Sequence, residues 1–210
     1  MKWLINMGLH DKKLKTHTIA AAILAGGSAR RLGGIAKGAI QISRGTSIID
    51  RLIEELTMAG INDIVIAAND PALYQKHGVK VISDIRADIG PMGGIESGLV
   101  HFSGRSDAVT FVPCDMPNIR AKDFLTLKEG LVESGAPAVF AETAGFFWHP
   151  LCAVVHNDLL EEISAAIDRG ERKIRNVWRQ VEAVTVRFTD ETTFFNINSL
   201  ADIDKWQKLK

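Results

Sequence analysis

The segment Leu24-Ala25-Gly26-Gly27-Ser28-Ala29-Arg30-Arg31-Leu32-Gly33-Gly34-Ile35-Ala36-Lys37 packs glycines, two arginines and a lysine into one short run. Glycine lets the backbone turn tightly and present bare N–H groups, and the cations add charge beside them. Such a run suits a polyanionic phosphate, at the end of a first strand. Two familiar phosphate loops are excluded. A Walker A loop needs G-x-x-x-x-G-K-[ST], but Lys37 stands between Ala36 and Gly38. A dinucleotide fingerprint needs G-x-G-x-x-G, and Gly26, Gly27, Gly33 and Gly34 do not have that spacing. The competing reading is a surface loop with solvated cations.

A second candidate is Asp115 in Pro113-Cys114-Asp115-Met116-Pro117, held between two prolines after the apolar run 108–112. A carboxylate at a strand tip opposite a basic phosphate loop suits Mg²⁺, which takes one or two carboxylates plus phosphate oxygens. Its other ordinary job is a turn or helix cap. The same two readings apply to Asn69 and Asp84, each at the end of an apolar run. Gly90-Pro91-Met92-Gly93-Gly94-Ile95-Glu96-Ser97-Gly98 either approaches a ligand closely or opens a tightly packed helix. Cys114 reads as a small packing residue, and the histidines show no metal-ligand spacing.

These residues need a scaffold, and strand and helix signals alternate to supply one. Residues 19–24, 63–68, 79–82 and 108–112 read as core strands. Ser47 caps a helix running to Met58, with Ile48, Ile49, Leu52, Ile53 and Leu56 at helical spacing. Pro71 opens a short helix that Gly78 ends, and Gly93-Gly94 leads into another running to Val100. Helices are expected at 122–134, 157–169, 174–178 and 200–209. Short strands are expected at 138–140 and 151–155, and an edge strand at 184–188. Alternation of this kind predicts an open, mostly parallel α/β sheet. Ligands of such sheets bind outside the carboxyl ends of the strands, where all the candidates fall.

Composition bounds the rest. A chain of 210 residues, 46% hydrophobic, buries a sizeable core. With 25 basic and 25 acidic residues it offers no bulk field for nucleic acid or an anionic membrane. Cys114 and Cys152 make no disulfide framework, which predicts a reducing, cytoplasmic setting. No apolar run reaches the ~20 residues of a membrane span. Residues 1–17 read as a loosely attached, flexible N-terminal extension, and 18–210 as a single domain. His149-Pro150 after Phe146-Phe147-Trp148 reads as a core aromatic strand, with a pterin pocket as the sharper alternative. Arg169, Arg172, Lys173, Arg175 and Arg179 read as a solvated helix face, or as a docking surface for an anion or a partner. Asn196 and Asn198 either order the substrate side of the sheet or cap the last helix with Ser199.

Taken in order, Leu-Ala-Gly-Gly, Arg-Arg-Leu-Gly-Gly with its lysine, Gly-Pro-Met-Gly-Gly, Pro-Cys-Asp-Met-Pro and Phe194-Phe195-Asn196-Ile197-Asn198 resemble the nucleotidyltransferases of the molybdenum cofactor. The guanylyltransferases are the nearest of these, and the resemblance spans about residues 18–208. The first motif is shared by many nucleoside-diphosphate-sugar pyrophosphorylases; the last two are narrower. The resemblance implies a Rossmann-like three-layer α/β/α fold with a mostly parallel central sheet, of the nucleotide-diphospho-sugar transferase type. It also implies transfer of GMP from GTP to molybdopterin carrying molybdenum, with release of pyrophosphate. Leu24, Ala25 and Gly26 would contact guanosine, and Lys37 the phosphates. Asn69 and Asp84 would lie in the nucleotide site, and Asp115 would hold Mg²⁺ and touch GTP. Lys37, Arg31 and Asp115 would be the catalytic set. Proteins that deliver the cofactor or mature molybdoenzymes would be transient partners. Ala36 stands where the family often has Asp, and Ala67-Ala68-Asn69 keeps one asparagine where some relatives have two. Cytidylyl transfer to molybdopterin, transfer to a sugar phosphate or related metabolite, and nucleotide binding without catalysis are the alternatives.

Overall fold

The computed structural model describes residues 18–26 and 37–208. The expected N-terminal extension and both loop arginines, Arg30 and Arg31, lie outside the described residues. In chain order the elements are β1 (Ile19–Leu24), β2 (Gln41–Ser43), β3 (Thr46–Ser47), α1 (Ile48–Met58), β4 (Ile64–Ala67) and β5 (Lys80–Ile82). There follow α2 (Pro91–Phe102), β6 (Ala108–Pro113), α3 (Ala121–Ser134), β7 (Ala138–Thr143) and β8 (Phe147–His156). The chain continues through α4 (Leu160–Asp168), α5 (Ile174–Gln180), β9 (Val184–Arg187) and α6 (Leu200–Lys208).

Seven strands form one sheet in the order β5-β4-β1-β6-β8-β7-β9. β5, β4, β1 and β6 run parallel, and only β8 opposes its neighbours. The central strands are apolar on both faces because both faces are covered. On one face Ala21 and Ile23 pack with Ile48, Ile49, Leu52 and Leu56 of α1 and Phe124, Leu127 and Leu131 of α3. On the other, Ala20, Ala22 and Leu24 pack with Met92, Ile95, Leu99 and Phe102 of α2 and with α4 and α5. The result is the expected three-layer α/β/α arrangement. Each large aliphatic side chain buried this way contributes about 1.5–3 kcal/mol.

Local signals set several boundaries. The Ser47 hydroxyl accepts from the Asp50 N–H, while the Asp50 carboxylate accepts from the Ser47 N–H, closing a capping box at the start of α1. Other boundaries differ from expectation. α2 begins at Pro91, so Gly93 and Gly94 lie inside the helix rather than ahead of it. The reason is packing: a Cβ on Gly98 would meet Phe111 Cε1 at 2.8 Å and Ala22 Cβ at 3.2 Å, so the glycines let α2 sit directly on the sheet. The segment from Pro71 to Gly78 is two 3₁₀ turns broken at Tyr74. The short strands expected at 138–140 and 151–155 are one long hairpin, β7–β8, because pairing continues past the apolar residues to Thr143 and Phe147. The last strand, β9, lies at the sheet edge as expected.

Candidate active site

A cleft of about 760 Å³ opens at the carboxyl ends of β1, β4, β5 and β6. Leu24, Ala25, Gly26, Lys37, Asn69, Asp84 and Asp115 all line it. Arg31, the remaining sequence-predicted site residue, lies outside the described residues. Main-chain pairing carries these tips past the regular strands. The Ala25 N–H donates to the Ala67 carbonyl at 2.9 Å, the Ala68 N–H to Ile82 at 2.8 Å and the Cys114 N–H to Leu24 at 3.0 Å. The cleft floor is therefore an extension of the sheet itself.

Lys37 opens a short 3₁₀ turn, Lys37–Ala39. Gly38 lets that turn press against α1 and the β6 tip, since a Cβ there would lie 2.5 Å from Ile49 Cδ1 and 3.1 Å from Cys114 Cβ. The Lys37 ammonium is thereby brought to the Asp115 carboxylate, with Nζ 2.9 Å from Oδ2. It also donates to the side-chain carbonyl of Asn198. Asn198 arrives there because the Ile197 N–H donates to the Asp115 carbonyl at 2.9 Å and Ile197 is fully buried. Ser199, not Asn198, provides the cap of α6: its N–H and hydroxyl donate to Asp202, and its hydroxyl accepts from the Asp202 N–H. Asn196 is exposed. Of the two roles open to the asparagines, Asn198 thus stands beside the cleft lysine.

Asn69 and Asp84 brace each other across the cleft wall. The Asn69 amide donates to Asp84 Oδ2 at 2.8 Å, and the Asp84 N–H donates to Asn69 Oδ1 at 2.9 Å. Two loops that follow different strands are joined by this reciprocal pair. Nothing in the sequence spacing announces it, because the hydrogen bonds depend on β4 and β5 being neighbours.

Asp70, Asp84, Asp88 and Asp115 line the cleft against Lys37 alone among its described cations. A polyphosphate entering this field needs further positive charge. Among the described residues no group of three or more His, Cys, Asp or Glu side chains could hold a metal ion. Asp115 is engaged by Lys37 through Oδ2, and among the described residues no hydrogen bond is made by Oδ1. One carboxylate oxygen beside a phosphate cleft fits a divalent cation that completes its shell with phosphate oxygens and water, which is how Mg²⁺ binds at nucleotide sites. Cys114 is no thiolate: burial, and then the neighbouring Asp115 charge, push its thiol up to about 12.

Farther along the same sheet edge, Phe146 and Phe147 are 73% and 67% exposed, so this hairpin tip is not the core strand expected. Phe146 ends the turn before β8 and Phe147 is the first residue of that strand. His149 is buried, stacked on Phe194 with ring centroids 4.5 Å apart. The basic run is not wholly solvated: the guanidiniums of Arg175 and Arg179 lie 5.8 and 5.2 Å from the Trp148 ring centroid.

The sequence matches the family described as MobA-like NTP transferase domain over residues 21–184. A molybdenum cofactor guanylyltransferase of Histophilus somni strain 2336 is 33% identical over 195 residues, covering 91% of this chain and 97% of the relative. A protein of the same name from Mannheimia succiniciproducens is 36% identical over 192 residues, covering 90% and 98%. Among solved structures, molybdopterin-guanine dinucleotide biosynthesis protein A from Archaeoglobus fulgidus superposes with a TM-score of 0.73 at 25% identity, covering 90% of this chain and 97% of that one. The central sheet with its strand-tip cleft and the match along most of the chain agree, and this chain belongs to the MobA-like NTP transferase family.

Proposed function

We propose that this protein transfers GMP from GTP to the terminal phosphate of molybdopterin carrying molybdenum, releasing pyrophosphate and leaving the guanine dinucleotide form of the cofactor. The observation that carries the proposal is the Lys37–Asp115 pair at the β6 tip, in the cleft that also holds Leu24, Ala25, Gly26, Asn69 and Asp84. Likeness to guanylyltransferases over 91% of the chain supports guanine over cytosine.

The reaction forms one bond, from an acceptor phosphate oxygen to the α-phosphorus, and breaks the bond from that phosphorus to the oxygen bridging it to the β-phosphate. A phosphate monoester has its second pKa near about 6 and is largely dianionic at neutral pH, so no general base is required. The protonated Cys114 thiol leaves no covalent nucleophile beside Asp115. What remains is positioning and charge neutralisation. Leu24, Ala25, Gly26, Asn69 and Asp84 bind and orient the nucleoside. Lys37 holds the phosphates, joined by Arg31 of the preceding loop. Asp115 holds Mg²⁺, which when bound polarises the α-phosphate and neutralises the leaving pyrophosphate. Asn198 holds the Lys37 ammonium beside Asp115.

No described helix is long and apolar enough to cross a membrane. A cytoplasmic setting belongs to the same proposal, on the chain's sparing use of cysteine. Transient contact with proteins that deliver the cofactor or receive the product belongs to the same proposal. The test is purified protein with Mg²⁺, molybdenum cofactor and either GTP or CTP, followed by pyrophosphate release and identification of the dinucleotide. GTP-dependent product is expected. Product with CTP alone, or nucleotide binding without pyrophosphate release, would replace the proposal with one of its alternatives.

A further inference from the structure

The loop between β5 and α2 delivers Asp84, Asp88 and Gly90 to the cleft, and three of its features ask what keeps it in place. Asp88 has φ of 59°, a conformation that a residue with a side chain seldom holds, and Gly90 has φ of 67°, one that glycine takes readily. Ile85, between the two aspartates, is 56% exposed and contributes little burial. The loop's anchors are instead polar. The Ile85 N–H donates to the Ser97 hydroxyl at 2.9 Å. The Arg86 guanidinium reaches Glu96 Oε1 on α2 at 3.1 Å and also pairs with Asp168 at the end of α4.

Glu96 is a costly residue for a surface role. Its side chain is only 3% exposed, it faces into the α2–α4 interface, and its Oε1 also accepts from Ser164 of α4 at 2.7 Å. Its Oε2 is buried with no hydrogen-bond partner among the described groups. A buried carboxylate with one idle oxygen is costly unless a cation lies beside it, and Arg86 is the cation in contact. The exposed Arg86–Asp168 contact adds little by itself. The guanidinium meets the two carboxylates through different nitrogens, Nη2 to Glu96 and Nη1 to Asp168, a spread that the compact charge of an ammonium does not reproduce.

We infer that Arg86 is a positioning residue for the nucleotide site, its guanidinium tying the β5–α2 loop to buried Glu96 and to Asp168 and so holding Asp84 and Asp88 where the nucleotide binds. The inference rests on the nucleotide reading of the cleft. Arg86 touches none of the reacting atoms; it acts through the loop.

The experiment compares the unaltered protein with Arg86→Met, Arg86→Lys and the double variant Arg86→Met/Glu96→Gln. Readouts are thermal stability, amide hydrogen exchange of residues 84–90, and KM and kcat with GTP. Arg86→Met takes the cation away from the buried Glu96 carboxyl, so its stability falls; the double variant replaces that carboxyl with a neutral amide and regains stability. The clamp predicts that exchange in the loop stays fast in the double variant. It also predicts that the KM for GTP stays raised about tenfold while kcat changes less than about threefold, with Arg86→Lys intermediate. Parent-like loop exchange and parent-like KM in the double variant would overturn it, leaving Arg86 as a stabilising partner of Glu96 alone. Loss of kcat with KM unchanged would also overturn it. Turnover of the unaltered protein judges the functional reading separately, since loop exchange reports on the clamp with no nucleotide present.

Discussion

The Lys37 ammonium and the Asp115 carboxylate stand 2.9 Å apart although 78 residues separate them in the chain. One comes from the turn after the glycine- and arginine-rich segment, the other from the tip of β6. Their pairing sets an ammonium directly against a carboxylate inside the cleft. It also means that the two groups best suited to phosphate and to a divalent cation face one point.

Under the proposed reaction, replacing either partner removes charge stabilisation from the transition state. Lys37→Ala and Asp115→Ala are each expected to lower turnover by about 10²–10³-fold. The pair is partly solvated, so stability should change by about 1 kcal/mol or less. Pyrophosphate release and urea denaturation on the purified variants check both halves. Near-normal turnover in both would remove the pair from the reaction.

Asn198 adds a third contact to the same ammonium. Asn198→Ala leaves the Lys37 ammonium with Asp115 as its one remaining partner among the described residues, so its position in the cleft loosens. A loss of about 10-fold in kcat with little change in melting temperature is expected, since a modest misplacement of a catalytic group is costly. Asn198→Asp would pair more strongly with Lys37, and is expected to weaken GTP binding. Steady-state kinetics against nucleotide and acceptor concentration separate the two effects.

Gly98→Ala tests why α2 tolerates its glycines. Alanine improves helix propensity by about 0.5–1 kcal/mol. Its methyl, however, would stand 2.8 Å from Phe111 in the fully buried centre of the sheet. Overpacking of that kind costs about 1–3 kcal/mol, and the surrounding strands cannot yield, so the net effect is destabilisation. Chemical denaturation gives the sign directly.

His149 gives the fold an acid-sensitive element. Burial holds its pKa below the ordinary 6.5, while the same imidazole in the unfolded chain titrates near that value. Below about pH 6.5 the unfolded state therefore binds a proton that the folded state does not, and stability falls as pH drops toward the folded value. The slope from one such group approaches about 1.4 kcal/mol per pH unit and vanishes once both states are protonated. His149→Phe, which keeps the stack on Phe194, should flatten this limb between about pH 7 and 5. His101, depressed by burial and nearby Lys80 and Arg105, should leave a residual slope. Urea midpoints across that pH range measure the difference.

Much of this molecule is written locally in its chain. The alternation of apolar runs and helical spacing determined the α/β class, because a strand buried on both faces and an amphipathic helix carry distinct patterns. Ser47 and Asp50 determined where α1 starts, since a capping box needs only residues three apart. The strand tips at Asn69, Asp84 and Asp115 were legible for the same reason, a polar residue ending an apolar run, and the tip at Ala25 from the glycines that follow it. Tertiary structure decided what those tips do to one another. The antiparallel β8, the Asn69–Asp84 brace, the approach of Asn198 to Lys37 and the clamp of Arg86 on Glu96 join segments that are distant in sequence or that meet only across strand and helix neighbours. Gly98 shows the same division, since its neighbour Phe111 exists for it only once α2 lies on the sheet. Period and propensity act over one or two turns of chain, whereas a site made of several loop tips depends on strand order, which no single segment encodes.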